Sequence, residues 1–466
     1  MNRNLPVSSM RVTMMKLRSI LLLAFLAACG PAKAPAPFDT PIAFTHATVV
    51  DVETGRLLPN QTVVVAGNRI REVGPAVRIG AGTRVVDASG KFLIPGLWDM
   101  HTHVYGNGPG ALLLYAANGV TSIRDMGADD FARVRAWRDS IAAGQRMGPR
   151  MKIASPVVES PRWIAAVRGM QEREGQNTGW LAFRFGPSTP AEAIAFVDSV
   201  ARLGADHVKV RNYPAPEVLR ALMQRAGERG LPVYAHTHGG MRPADASAAG
   251  MASFEHGFFP AITESRAGRD SVYRELILNG TAIAPTLVTW RGRVLSGDSL
   301  LVLASADAPR LRYLPARVSQ RWRDEAKTRK HETAMDWGAM YRNDVRNLRE
   351  LAAAGMVVMV GSDAGAPLVV PGFATHDELA QLVEIGGFTP LQALQAATLR
   401  PARFMGRADS LGIVAGGRLA DLVLLDANPL ADIRNTQKIR GVVLNGRYLD
   451  RAALDALLAD AERAAK

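Results

Sequence analysis

Two periodicities alternate along the chain. Residues 42–92 read as short β-branched strands, "AFTHATVVDV", "QTVVVAGNRIREVG" and "TRVVDASGKFLI", separated by Gly, Asn and Asp turns. The same style returns near the end in "DLVLLDANP" and "IRGVVLNGRYL". Between these ends, apolar strands alternate with helical stretches. "GVTSIRDMG" precedes a helix from about Asp130 to Ala143, "ADHVKVRNY" a helix over 215–229, and "PVYAHTHGG" a short helix over 242–249. "ASFEHG", "TAIAPTLV" and "MVVMVGSDAG" follow in turn. This rhythm predicts a parallel sheet with helices outside. About eight such strands fit between Gly96 and Gly365, which predicts an α/β fold of the (β/α)8 barrel type. The long Arg-rich stretch 291–354 reads as a helical insertion between strands 7 and 8, placed to act as a lid.

The N-terminus follows different rules. A basic stretch from Met10 to Arg18 precedes an apolar run from Ile20 to Phe25, too short to span a bilayer. Leu26-Ala27-Ala28-Cys29 then resembles a bacterial lipobox, and Cys29 is the only cysteine of the chain. We read residues 1–29 as an export signal with Cys29 as the lipidated residue. The Pro/Ala-rich 30–41 would be a tether. The expected location is the bacterial cell envelope, facing the periplasm at the outer membrane, since Asp does not follow Cys29.

Composition narrows the classes. The 466 residues are 48% hydrophobic and 21% charged, the profile of a folded chain with a large core. One cysteine excludes an internal disulfide framework and a multi-cysteine zinc site. The formal charge of +13 falls to +9 without residues 1–28. The basic residues form no patch or aromatic-basic interleaving, which speaks against a nucleic-acid partner.

Chemistry-bearing residues gather at the C-terminal ends of the predicted strands, where barrel enzymes place their sites. His101 and His103 are two apart, so in a strand they share a face and can reach one ion. Lys209 sits between Val208 and Val210 and points inward if they point outward. His236, His256 and Asp363 end three further strands.

These segments, in this order, resemble the amidohydrolase superfamily, within its imidazolonepropionase-like and prolidase-like branch. "IPGLWDMHTH", "GADHVKV", "PVYAHTHG", "SFEHG", "VGSDAG" and "LGIVAGGRLADLVLLDANPL" carry the resemblance, which covers nearly all of 42–450. It implies a barrel over 95–404 and a small β-sandwich built from 42–94 and 405–450. It also implies two divalent ions, zinc first among the candidates. His101, His103 and Asp363 would hold one ion, and His236 and His256 the other. Lys209, carboxylated by CO₂, would bridge them, since burial favours the neutral amine that attacks CO₂. Asp363 would shuttle the proton during hydrolysis of an amide.

The implied substrates are small dipeptides or N-acyl amino acids. Hydrolysis of a cyclic amide, lactone or organophosphate ester on the same centre is the alternative, and a non-catalytic binding protein a more distant one. Gly239 stands where imidazolonepropionases carry Glu, which disfavours ring opening and deamination. His238, Tyr234, Arg211, Arg291 and His376 are candidate substrate contacts. Arg124 and Asp125 are expected to form a supporting ion pair, and His207 matches no motif. A homo-oligomer is expected by resemblance, and the membrane is met only through the lipid.

Overall fold

The computed structural model describes residues 40–466 except 128–129, 176, 238–239, 258–264, 296–298, 300, 303–307 and 329–335. The expected export signal, Cys29 and most of the expected tether lie outside the described residues. No helix among those described is long and apolar enough to cross a membrane.

Five strands open the described chain: β1 (Ile42–Val50), β2 (Leu57–Ala66), β3 (Arg69–Gly74), β4 (Arg84–Asp87) and β5 (Phe92–Pro95). Three close it: β16 (Leu422–Leu425), β17 (Ile439–Leu444) and β18 (Arg447–Asp450). Both groups share one sheet in the order β18-β17-β16-β5-β1-β2-β3, with β4 on β1. The two chain ends thus meet in one connected eight-stranded sheet. Its hinge is in β1, where the register shifts around Ala47 and His46 takes φ 57°. One half of β1 pairs in parallel with β4 and the other with β5, because the irregularity bends the strand between them. Phe44, Val49, Val63, Ile70, Leu93, Leu422 and Val443 pack into one buried cluster on this sheet.

The central region contains ten more strands. β6 (Leu97–Thr102), β7 (Val120–Asp125) and β8 (Arg150–Ile153) form a three-stranded parallel sheet. β9 (Val157–Val158), β10 (Arg184–Phe185), β11 (Val208–Val210), β12 (Val233–His236), β13 (Met251–Glu255), β14 (Ala282–Ala284) and β15 (Val357–Val358) form a second, in the order β10-β9-β11-β12-β13-β14-β15. Backbone bonds continue between the two sheets at both ends. Asp206 N donates to Ile153 O and Ser155 N to His207 O, each 2.9 Å. At the other end Met100 N donates to Val360 O (2.8 Å) and Asp363 N to His101 O (2.7 Å).

Helices cover these strands. The helix Pro216–Glu228 starts with Pro at its first position and buries Val218, Leu219, Leu222, Met223 and Ala226, one stripe at helical spacing. Between β14 and β15 lie the described helices Val288–Val294, Ala308–Leu311, Ala316–Thr328 and Trp337–Ala353. Asp336 caps the last of these by accepting from Ala339 N at 2.8 Å.

Candidate metal centre

Three ligand atoms converge where β6 ends and the chain leaves β15. The Nε2 atoms of His103 and His101 lie 3.0 and 3.4 Å from Asp363 Oδ1. Among the described residues, these three form a group with ligand atoms within 4.8 Å of one another. His101 is fully buried and its Nε2 has no hydrogen-bond partner among the described residues. Its Nδ1 meets Glu255 Oε2 at 2.8 Å, which fixes the tautomer and turns the Nε2 lone pair toward the group. A buried lone pair aimed at a carboxylate and a second imidazole fits a divalent cation. Burial pushes the His101 pKa down to about 4, so the ring is neutral, as a ligand must be. Burial opposes the Asp363 charge, but the His103 hydrogen bond and the neighbouring imidazoles outweigh it and hold the carboxyl well below its usual range.

His256 and His236 stand beside this group. The His101 and His256 rings are 4.6 Å apart, as are those of His236 and His256. His256 Nδ1 is held by Thr286 Oγ1 at 2.6 Å. His256, Thr286 and Asp363 all take positive φ, at 68°, 50° and 55°. Non-glycine residues adopt this conformation at a cost, and three together at strand ends mark a functional site. Lys209 is 1% exposed, and its Nζ has no hydrogen-bond partner among the described residues. Burial lowers its pKa to about 8, which enlarges the neutral amine fraction.

Beneath the ligands runs a charged network that spans β6, β7 and β13. Arg124 is fully buried. It donates to Met100 O (2.7 Å), Ser253 Oγ (3.1 Å) and Glu255 Oε1 (2.8 Å). Glu255 thus joins Arg124 to His101. Burial raises its pKa, but Arg124 and His101 outweigh that, and the carboxyl stays well below its ordinary value. The expected pairing of Arg124 with Asp125 is corrected: Asp125 instead accepts from Val104 N at 3.0 Å, just past His103. Glu255 went unassigned in the sequence, although an acid inside the apolar run before His256 was its signal. Asp99 is a second omission. It accepts from His101 N (3.2 Å), Ser362 N (2.9 Å) and Thr375 Oγ1 (2.8 Å), tying the backbone of both ligand segments together.

Above the ligands a cleft of about 450 Å³ opens, with His103 and Asp363 in its wall. Arg184, Arg293, Arg321 and Trp337 also line it, and Glu325 is the acid added to that rim. Arg293, Arg321, Glu325 and Trp337 all come from the segment between β14 and β15.

The other candidate contacts divide. Tyr234 is buried, with its ring under the Arg124 guanidinium at 4.2 Å and its hydroxyl toward Met405 Sδ at 3.8 Å. It lies on the His236 face but one layer deeper, so its expected role at the substrate is corrected to packing. His376 is likewise structural: Nε2 donates to Asn118 O and Nδ1 meets Thr436 Oγ1, both at 2.9 Å. Arg211 pairs with buried Glu159 at 2.5 Å and lies 4.3 Å over Trp163. His207 Nε2 donates to Asp125 O at 3.0 Å, and its ring packs on Tyr234. Arg291 lies in the helix Val288–Val294, but its side chain, like all of His238, is outside the described residues.

Two imidazoles and a carboxylate at strand ends, backed by a buried lysine and two more imidazoles, are the equipment of a metal-assisted hydrolase. The chain belongs to the amidohydrolase family, whose profile matches residues 92–449. This family generally uses divalent metals, acts on small molecules, and supports a hydrolase of carbon–nitrogen bonds. The chain is 26% identical to a dihydroorotase of Pelotomaculum thermopropionicum over 86% of its own length and 93% of that protein. It is 27% identical to an adenine deaminase of Moorella thermoacetica, covering 84% of this chain but only 54% of that longer protein. Among solved structures, one from Bifidobacterium longum assigned as a prolidase aligns over 91% of this chain and all of its own. Its TM-score is 0.67 and its identity 28%. These neighbours place a barrel-type fold with an additional domain around the site.

Proposed function

We propose that this protein is an exported metal-dependent amidohydrolase that cleaves the amide bond of small dipeptides or N-acyl amino acids. The observation that carries the reading is the convergence of His101 Nε2 and His103 Nε2 on Asp363 Oδ1 in the wall of an arginine-lined cleft. His101, His103 and Asp363 would hold one divalent ion, zinc first, and His236 and His256 a second, with Lys209 carboxylated between them. Bound divalent ions lower the pKa of water toward neutrality and polarise a carbonyl. Asp363, kept ionised by its imidazole neighbours, accepts the proton of the attacking water and returns it to the leaving amine. Glu255 keeps His101 in the ligating tautomer, and Arg124 keeps Glu255 charged. Arg184 and Arg293 would receive the substrate carboxylate, with the 291–354 segment as the cover. The hydrogen bonds that continue from β8 to β11 and from β15 to β6 support closure of eight strands into a (β/α)8 barrel. The lipobox at Cys29 supports a lipid-anchored protein facing the periplasm.

The test is a library of dipeptides and N-acyl amino acids offered to the chain beginning after Cys29. Amide turnover that stops on chelation and returns with zinc is expected. Turnover of esters or lactones alone, or amide turnover indifferent to chelators, would overturn the reading.

A further inference from the structure

A second cavity lies apart from the cleft walled by His103 and Asp363. About 620 Å³ opens beside the start of β15, at the end of that strand opposite Asp363. Three arginines line it, Arg349, Arg400 and Arg403, and no acid does. Their partners differ. Arg349 Nε donates to Ile385 O at 2.8 Å, and Arg403 Nη2 to Glu53 Oε1 at 2.9 Å. Arg400 has no ion pair or hydrogen bond among the described residues, and burial alone lowers its pKa. A guanidinium partly withdrawn from water without a partner carries a cost, and a bound anion reduces it. The remaining wall is apolar, with Met356, Phe388 and Phe404 among its residues. The volume lies in the usual range for small-molecule sites.

We infer that this cavity binds a small amphipathic monocarboxylate, its carboxylate on Arg400 and its apolar body against Met356, Phe388 and Phe404. Arg349 has no acid partner either, but it is exposed to water; Arg400 is the cation partly withdrawn from it and calls for one negative charge, which favours a carboxylate over a phosphate dianion. The planar guanidinium fork matches a carboxylate in two parallel hydrogen bonds. The apolar wall calls for a hydrocarbon or aryl body rather than a free inorganic ion. The site is separate from the metal ligands and does not rest on the proposed reaction. Phe404 nevertheless links the two regions, since its ring packs on Tyr234 and lies 5.8 Å from the Arg124 guanidinium.

The test titrates the metal-loaded mature protein with 3-phenylpropanoate by calorimetry. Its amide, 3-phenylpropanamide, and phenyl phosphate serve as comparison probes. One saturable carboxylate site per chain is expected, weakened about tenfold or more in Arg400→Met and for the neutral amide. Arg400→Lys should bind between wild type and Arg400→Met, which keeps the test informative if the methionine variant does not fold. Affinity unchanged in the folded Arg400 variants would put the ligand elsewhere, including at the metal ions, and overturn the assignment. Equal binding of the amide, tighter binding of phenyl phosphate, or no binding by wild type would each overturn it too. Failure here leaves the amidohydrolase reading intact, since the library assay does not use this cavity.

Discussion

Glu255→Gln is the most informative single perturbation, because it removes one charge and almost no volume. The Glu255 carboxylate accepts from Arg124 and Ser253 on one oxygen, at 2.8 and 2.5 Å, and from His101 Nδ1 on the other at 2.8 Å. An amide has one accepting oxygen, so one arm must turn an NH₂ toward a donor. Arg124 also loses its counter-charge while fully buried. Removing one partner of a buried ion pair costs about 3–5 kcal/mol, most of it from the charge left behind. Equilibrium urea unfolding should show that loss. The loosened His101 should also weaken metal binding by about 10- to 100-fold, measured by competition with a chelator.

The pH dependence has a definite sign. The folded pKa of Glu255 is depressed, so its stabilisation is complete at neutral pH and is lost as pH falls below the usual carboxylate range. Glu255→Gln should therefore flatten the acid side of the stability profile. Replacing Arg124 and Glu255 together by Met and Leu should cost less than Glu255→Gln alone, since no buried charge remains. A Glu255→Gln protein within about 1 kcal/mol of wild type, with unchanged metal affinity, would refute the network.

Three further outcomes are expected. Lys209→Ala should lower the metal content of the purified protein and abolish turnover, and full metal content would show that the lysine is no ligand. Arg293→Met should raise KM for carboxylate-bearing substrates about 10- to 100-fold, the worth of a charge-assisted hydrogen bond, with kcat changed far less. His376→Ala should cost at least about 1–3 kcal/mol of stability, leave kcat/KM unchanged, and remove a pH effect. Burial lowers the His376 pKa from 6.5 to about 4, so wild type loses stability as pH falls across that window and the variant should not.

The grouping of the candidate ligands was legible because strand periodicity fixes which residues share a face. His101 with His103 needed only that rule, and Lys209 only its apolar neighbours. Periodicity does not give depth. Tyr234 shares a face with His236, but it lies lower and packs on Arg124, which spacing does not reveal. Pairing across the interior is hidden for the same reason: Arg124 finds Glu255 on a distant strand, not its chain neighbour Asp125. The cleft arginines Arg293 and Arg321 belong to a segment whose docking depends on tertiary packing. The bend of β1 at His46 was equally invisible, since a histidine at φ 57° has no local sequence signature of the kind glycine provides.

Six side chains, His101, His103, Lys209, His236, His256 and Asp363, are proposed to build a two-metal hydrolytic centre. Metal analysis of the purified mature chain, beside its amide turnover, decides whether they do. About two divalent ions per chain are expected in wild type, fewer in His103→Ala and Lys209→Ala, with activity that falls with the metal content. Amide hydrolysis at full rate by a chain containing no metal would contradict it.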